Sequence, residues 1–206
     1  CKIKPDGSGL TQITQLTQNS GATPPEPAYY SDVSVSEDGP MIAALRFAAR
    51  RSGNTYVAKP QIWVMNADGT NQKMVSDGGP EIGTDTSGFP LGDYDPEISP
   101  DNKYVIFSRV NTQNKNFRDT LNTAHDLWIA PLDKSTPAKR ITAEGPVSII
   151  PDWHGDKIIY TEYNEKENYV GLVIMNADGT DKKRVESHPS NIWDGGRHGK
   201  FILNAK

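Results

Sequence analysis

The stretch Ile62-Trp63-Val64-Met65-Asn66-Ala67-Asp68-Gly69-Thr70 returns as Leu172-Val173-Ile174-Met175-Asn176-Ala177-Asp178-Gly179-Thr180, identical at six of nine positions and conservative at two more. Self-similarity of this length marks a repeated structural unit. In both copies an apolar, β-rich run reaches Asp-Gly and continues into a short second run, Gln72-Lys73-Met74-Val75-Ser76 or Lys182-Lys183-Arg184-Val185-Glu186. Asp-Gly between such runs supplies the positive φ that a tight connection needs, so each copy predicts a β-hairpin. Leu127-Trp128-Ile129-Ala130-Pro131-Leu132-Asp133-Lys134, followed by Lys139-Arg140-Ile141-Thr142, is a weaker copy. Cys1-Lys2-Ile3-Lys4-Pro5-Asp6-Gly7-Ser8-Gly9, followed by Leu10-Thr11-Gln12-Ile13-Thr14, is a fourth.

A second unit precedes each later hairpin. Val33-Ser34-Val35-Ser36-Glu37-Asp38-Gly39 leads into Met41 to Phe47, Pro96-Glu97-Ile98-Ser99-Pro100-Asp101-Asn102 into Tyr104 to Ser108, Pro151-Asp152-Trp153-His154-Gly155-Asp156 into Lys157 to Thr161, and Asn191-Ile192-Trp193-Asp194-Gly195-Gly196 into Lys200 to Asn204. Two hairpins in tandem make a four-stranded meander, the blade of a β-propeller. The expected fold is therefore all-β, one propeller domain over residues 1–206 with whole blades at about 30–77, 93–143 and 148–187. Residues 1–14 supply only the second half of a blade and 190–206 only the first half. Paired, they would close a four-bladed ring and remove its open edges; the alternative is a slice of a larger ring whose ends fall in phase. The connections Ala48 to Pro60 and Val110 to Asp126 are longer than the repeat requires and are expected to be polar loops that carry binding determinants.

Composition agrees with many short strands. The 206 residues include 18 Gly and 15 Pro, and no apolar run is long enough to span a bilayer as a helix. With 22 basic and 26 acidic side chains and a net charge of −4, there is no basic block of the sort a nucleic-acid binder carries, so no nucleic-acid partner is expected. One cysteine excludes an internal disulfide and a cysteine-based structural zinc site.

Ser99-Pro100-Asp101 before an apolar strand, together with the Asn-Ala-Asp-Gly-Thr hairpins, resembles the TolB-like propeller repeat over nearly all of the chain. His154-Gly155-Asp156 and Asp194-Gly195-Gly196 stand in place of Ser-Pro-Asp in the later blades. The resemblance implies a propeller that serves as a periplasmic scaffold, a surface lipoprotein, a gating domain of prolyl-oligopeptidase-like enzymes, or part of a polysaccharide lyase. It implies a periplasmic or cell-surface location, and a terminal Cys1 is where a lipoprotein of that kind is acylated.

The candidate chemistry is sparse. Asp-Gly segments lack the ligand spacing of a calcium loop and read as turns. His125, His154, His188 and His198 are scattered; His154 and His198 fall at equivalent turns and are the weak metal candidates, with Asp152 and Asp194 as carboxylate partners. No G-x-S-x-G elbow occurs and no catalytic residue is assigned. Trp63, Trp128, Trp153 and Trp193 sit on strands of the repeat and are expected to pack between blades. Asp32, Asp95, Glu97 and Asp152 lie on the first strands, where a propeller lines its channel, and form the expected binding site. No cofactor is expected. The reading is of a non-catalytic interaction scaffold outside the cytoplasm that binds a partner protein through its loops and channel mouth. The rival is a propeller enzyme, or an enzyme-gating domain, acting on polysaccharide or peptide.

Overall fold

The computed structural model describes residues 1–14, 29–52, 54–84, 90–111, 124–142, 145–164 and 166–185. These form no helix and twelve strands: β1 Tyr29–Val35, β2 Met41–Ser52, β3 Thr55–Asn66, β4 Lys73–Ser76, β5 Gly92–Ile98, β6 Tyr104–Asn111, β7 Ala124–Pro131, β8 Lys139–Arg140, β9 Val147–His154, β10 Lys157–Asn164, β11 Tyr169–Asn176 and β12 Lys183–Arg184. They make three four-stranded antiparallel meanders, β1 to β4, β5 to β8 and β9 to β12. Each sheet packs on the next in chain order, as propeller blades do.

The repeated Asn-Ala-Asp-Gly-Thr sequence has a physical cause. In both copies the Asp carboxylate accepts from the Thr amide at 2.9 Å and from the Thr hydroxyl at 2.6 Å, and the Asn side-chain amide donates to that hydroxyl at 2.8 Å. Gly69 and Gly179 take φ of 85° and 89°. They also sit against a neighbouring chain segment: a Cβ on Gly179 would lie 2.7 Å from the Ile141 carbonyl oxygen, and one on Gly69 would lie 1.8 Å from that of Ile13. Ile13 and Ile141 hold the same place in the repeat. The hairpin of residues 1–14, bridged at Lys2 and Thr11, thus lies against sheet 1 as the outer hairpin of sheet 2 lies against sheet 3. Its expected closing partner, residues 190–206, lies outside the described residues.

The two inter-sheet cores match position by position. Between sheets 1 and 2, Ala43, Ile62, Val64 and Val75 meet Ile98, Val105, Phe107, Ala130 and Leu132. Between sheets 2 and 3, Ile106, Leu127, Ile129 and Ile141 meet Trp153, Ile158, Tyr160, Met175 and Ala177. Phe107 and Tyr160, both fully buried, are equivalents at the centre of their layers. The bulk is redistributed rather than conserved, with Ala43 answered by Ile106, Ile98 by Trp153 and Leu132 by Ala177, as dense packing demands when one member of a layer changes size.

A buried polar network also ties sheet 1 to sheet 2. The Arg109 Nε donates to Asp93 at 2.6 Å, and Arg109 Nη2 donates to Asp93 at 3.0 Å and to the Ser76 hydroxyl at 2.7 Å. Asp93 also accepts from the Gly78 amide at 2.9 Å. The Arg109 guanidinium lies 4.4 Å from the Trp128 ring centroid, and Arg46 stacks on Trp63 at 4.7 Å in the same place one blade earlier.

The connection Ala48 to Pro60 is not a loop. β2 and β3 stay paired out to Ser52 and Thr55, twelve residues each against eight in the matching strands of the other sheets, so the excess length is a projecting β-arm. Its Tyr56-Val57 run favours strand over loop. Of the second long connection, β6 and β7 absorb both ends, and residues 112–123 lie outside the described residues.

Candidate functional site

The first strand of every sheet carries one β-bulge. Pairing shifts between Ser31 and Val33 in β1, between Tyr94 and Glu97 in β5, and opposite Ile159 to Thr161 in β9. At each bulge one residue turns left-handed: Asp32 with φ 42°, Asp95 with φ 50° and Ile150 with φ 55°. An extra residue in a ladder bends the strand and re-aims a side chain. Aspartate tolerates this conformation because its short polar side chain bonds locally, whereas a β-branched side chain is strained there.

The expected acidic series therefore resolves into two rows. The bulge row is Asp32, Asp95 and Ile150; the row two residues on is Ser34, Glu97 and Asp152. In the second row the Ser34 hydroxyl donates to Glu97 at 3.0 Å and Asp152 is buried. These two rows do not merge into one ring of carboxylates, because the third sheet contributes Ile150 to the first and the first sheet contributes Ser34 to the second.

The bulges of sheets 1 and 2 open into one cavity of about 310 Å³, lined by Ser31, Asp32, Leu45, Phe47, Pro90, Tyr94, Asp95 and His125. Its walls are aromatic. Phe47 stacks on Tyr29 with centroids 4.6 Å apart, meets Tyr94 edge-on at 6.4 Å, and Tyr94 stacks on His125 at 6.3 Å. Tyr94 is fixed by its hydroxyl, which donates to the Pro90 carbonyl at 2.7 Å, and Asp95 by the Ser108 hydroxyl at 3.0 Å. Burial raises the Asp32 carboxyl above the ordinary aspartate range. Two carboxylates lining one cavity favour a cation by Coulomb attraction. Sequence reading placed Asp32 and Asp95 at equivalent steps of the repeat, and both line this cavity. It missed Phe47, Tyr94 and His125 as a site, since nothing in their local sequence says that their rings converge.

Of the weak metal candidates, His154 is the one among the described residues. His154 reaches the Glu37 carboxylate across the molecule, from the β9–β10 turn to the β1–β2 turn, and His198 lies outside the described residues. Asn102, in the β5–β6 turn, donates to Asp38 at 2.9 Å, so the first turns of all three sheets gather at the opposite end from the cavity. Among the described residues no group of three or more His, Cys, Asp or Glu is placed to hold a metal. Trp128, on a third strand, and Trp153, on a first strand, lie at sheet junctions, whereas Trp63, on a third strand, stacks with Arg46 of its own sheet; Trp193 lies outside the described residues. No described helix is long and apolar enough to cross a membrane.

No protein-family model matches the chain, and no curated protein matches it. Solved structures do. A puromycin-hydrolysing peptidase of Mycobacterium tuberculosis aligns over 77% of this chain and 23% of its own length at 10% identity, with a TM-score of 0.53. The β-propeller domain of the Trilobed protease from Pyrococcus furiosus aligns over 79% and 43% at 19% identity, with a TM-score of 0.49. A protein described as TolB from Agrobacterium tumefaciens aligns over 79% and 82% at 15% identity, with a TM-score of 0.39. The described sheets are β-propeller blades. At these identities the likeness concerns fold alone, and the chain spans less than half the length of the two peptidase chains.

Proposed function

We propose that this propeller is a non-catalytic scaffold that binds a partner protein at its channel mouth, receiving a basic side chain of the partner in the cavity between the first two blades. One observation carries the reading: Asp32 and Asp95, repeat-equivalent and both aimed by a bulge, share a cavity with the Phe47 and Tyr94 rings. The resemblance to the TolB-like repeat supports a location outside the cytoplasm, periplasmic or cell-surface. The test is a titration with a short arginine-containing peptide followed by amide chemical shifts. Saturable shifts at Asp32, Phe47 and Tyr94 that disappear in Asp32→Asn/Asp95→Asn support the reading. Shifts spread over the surface and unchanged in the double variant overturn it.

The second reading is that of a gating domain in a peptidase. What favours it is the fold likeness to the mycobacterial peptidase, of which this chain spans 23%. Peptide hydrolysis by the protein purified from its native source, at whatever length it occurs there, would decide for it.

A further inference from the structure

The backbone places Ala67, Leu132 and Ala177 identically in their sheets: their amides donate to the carbonyls of Pro40, Lys103 and Asp156 at 2.9, 2.7 and 2.9 Å. At the junction of sheets 1 and 2, Leu132 is 4% exposed and packs on Ile98, Val64 and Met41. At the junction of sheets 2 and 3 the equivalent residue is Ala177, facing Trp153 and Ile129. Trp153 is larger than Ile98, yet an opening of about 560 Å³ remains, with Tyr104, Ile129, Pro131, Trp153 and Ala177 on its apolar walls. That size is ordinary for a site that takes a small ligand or a buried anchor side chain. Asp101, Asp178 and Lys139 stand at its polar side. Turn hydroxyls of Ser99 and Thr180 hold the two carboxylates below the usual aspartate range, so they stay ionised. Lys103 pairs with Asp101 at 3.5 Å, which among the described residues leaves Asp178 as the carboxylate facing the cleft without an ion pair within 4 Å.

We infer that the cleft between the second and third blades is a second binding site, built to take a leucine-sized aliphatic side chain that a partner segment carries beside a positive charge. The internal template is the argument for the occupant: in the neighbouring junction this chain fills the same place with its own Leu132, presented from a β-turn. Asp178 at the cleft adds attraction for a cationic neighbour of that side chain. The site is separate from the channel-mouth cavity and shares no residue with it.

The probe is L-leucinamide, which has both the leucine side chain and a cationic amine, compared with L-alaninamide, which keeps the amine and shortens the side chain to a methyl. Binding is read by Trp153 fluorescence and by amide shifts at Ala177. Leucinamide is expected to bind at least about tenfold more tightly than alaninamide, the usual value of several buried methylenes. Ala177→Leu, which copies the neighbouring junction, is expected to abolish the shifts while leaving the thermal midpoint within a few degrees. Tyr104→Ala, at a 41% exposed wall residue, is expected to weaken binding severalfold and serves if Ala177→Leu does not fold. Equal response to the two amides, or leucinamide binding unchanged in the filled variant, overturns the inference. So does a concentration-dependent dimer that Ala177→Leu dissolves, since the occupant would then be a second copy of the chain.

Discussion

Asp32 and Asp95 stand at the same step of consecutive blades, each the left-handed residue of a bulge in the first strand, and both face one cavity. Coincidence of conformation and position in two repeats gives the cavity two negative charges that the fold itself aims. Replacing either with asparagine keeps the shape and the left-handed preference while removing one charge. Each single variant should weaken an arginine peptide by about tenfold, the loss expected for a charge-assisted contact, and the loss should shrink as salt is raised. Calorimetric titration at two ionic strengths checks this; an unchanged affinity in both variants would show that the cation sits elsewhere.

Asp32 has a cost of its own. Burial raises its carboxyl in the folded state, so the folded protein holds the proton more tightly than the unfolded chain. Its favourable contribution is complete below the unfolded value of about 3.9 and is lost as pH rises through the folded value. Asp32→Asn should therefore be more stable than the parent at pH 7, with the difference closing below about pH 4. Urea unfolding of both proteins from pH 3 to pH 8 tests the sign. A constant difference across that range would mean that Asp32 titrates alike in both states.

Ile150 occupies the third bulge with φ 55°, where a β-branched side chain meets its own backbone. Its amide donates to the Ser108 hydroxyl at 3.2 Å, and that hydroxyl donates to Asp95, so the bulge is held in place from the second sheet. Ile150→Asn should relieve about 1 kcal/mol of left-handed strain and raise the thermal midpoint by about 2–4 °C. Scanning calorimetry checks this. A fall in the midpoint would show that the half-buried isoleucine contributes more by packing than it loses in its backbone.

What the sequence made legible divides along the same lines. The hairpins were readable because Asn66 to Thr70 and Asn176 to Thr180 encode their turn locally, through Asp, Gly and Thr hydrogen bonds within five residues. Asp32 and Asp95 were readable because the repeat exposes equivalent positions. The cavity was not, since Phe47, Tyr94 and His125 come from β2, β5 and β7 and meet only when two sheets pack. The β-arm of β2 and β3 was mistaken for a loop because its length exceeds the repeat, and the pairing that continues through Ser52 and Thr55 is cross-strand information. Nor does Ala177 look unusual on its own; it becomes informative beside Leu132, once the backbone shows that the two are equivalent.

The Asp93–Arg109 pair separates buried from exposed charge in one molecule. Asp93 is fully buried, bonded twice by Arg109 and once each by Ser76 and the Gly78 amide, whereas the Lys183–Asp181 pair at 3.1 Å has both side chains at least half exposed. Removing the buried carboxylate strands a guanidinium between two sheets, so Asp93→Ala should cost about 3–5 kcal/mol. Lys183→Ala, which breaks a solvated pair, should change stability by no more than about 0.5 kcal/mol. Replacing Asp93 and Arg109 together by leucine and methionine should recover much of the loss, because no unpaired charge is then left inside. Urea unfolding of the three variants measures all of this. If Asp93→Ala and Lys183→Ala proved equally mild, the network would be a passenger of the fold, and the packed layers around Phe107 and Tyr160 would alone join the blades.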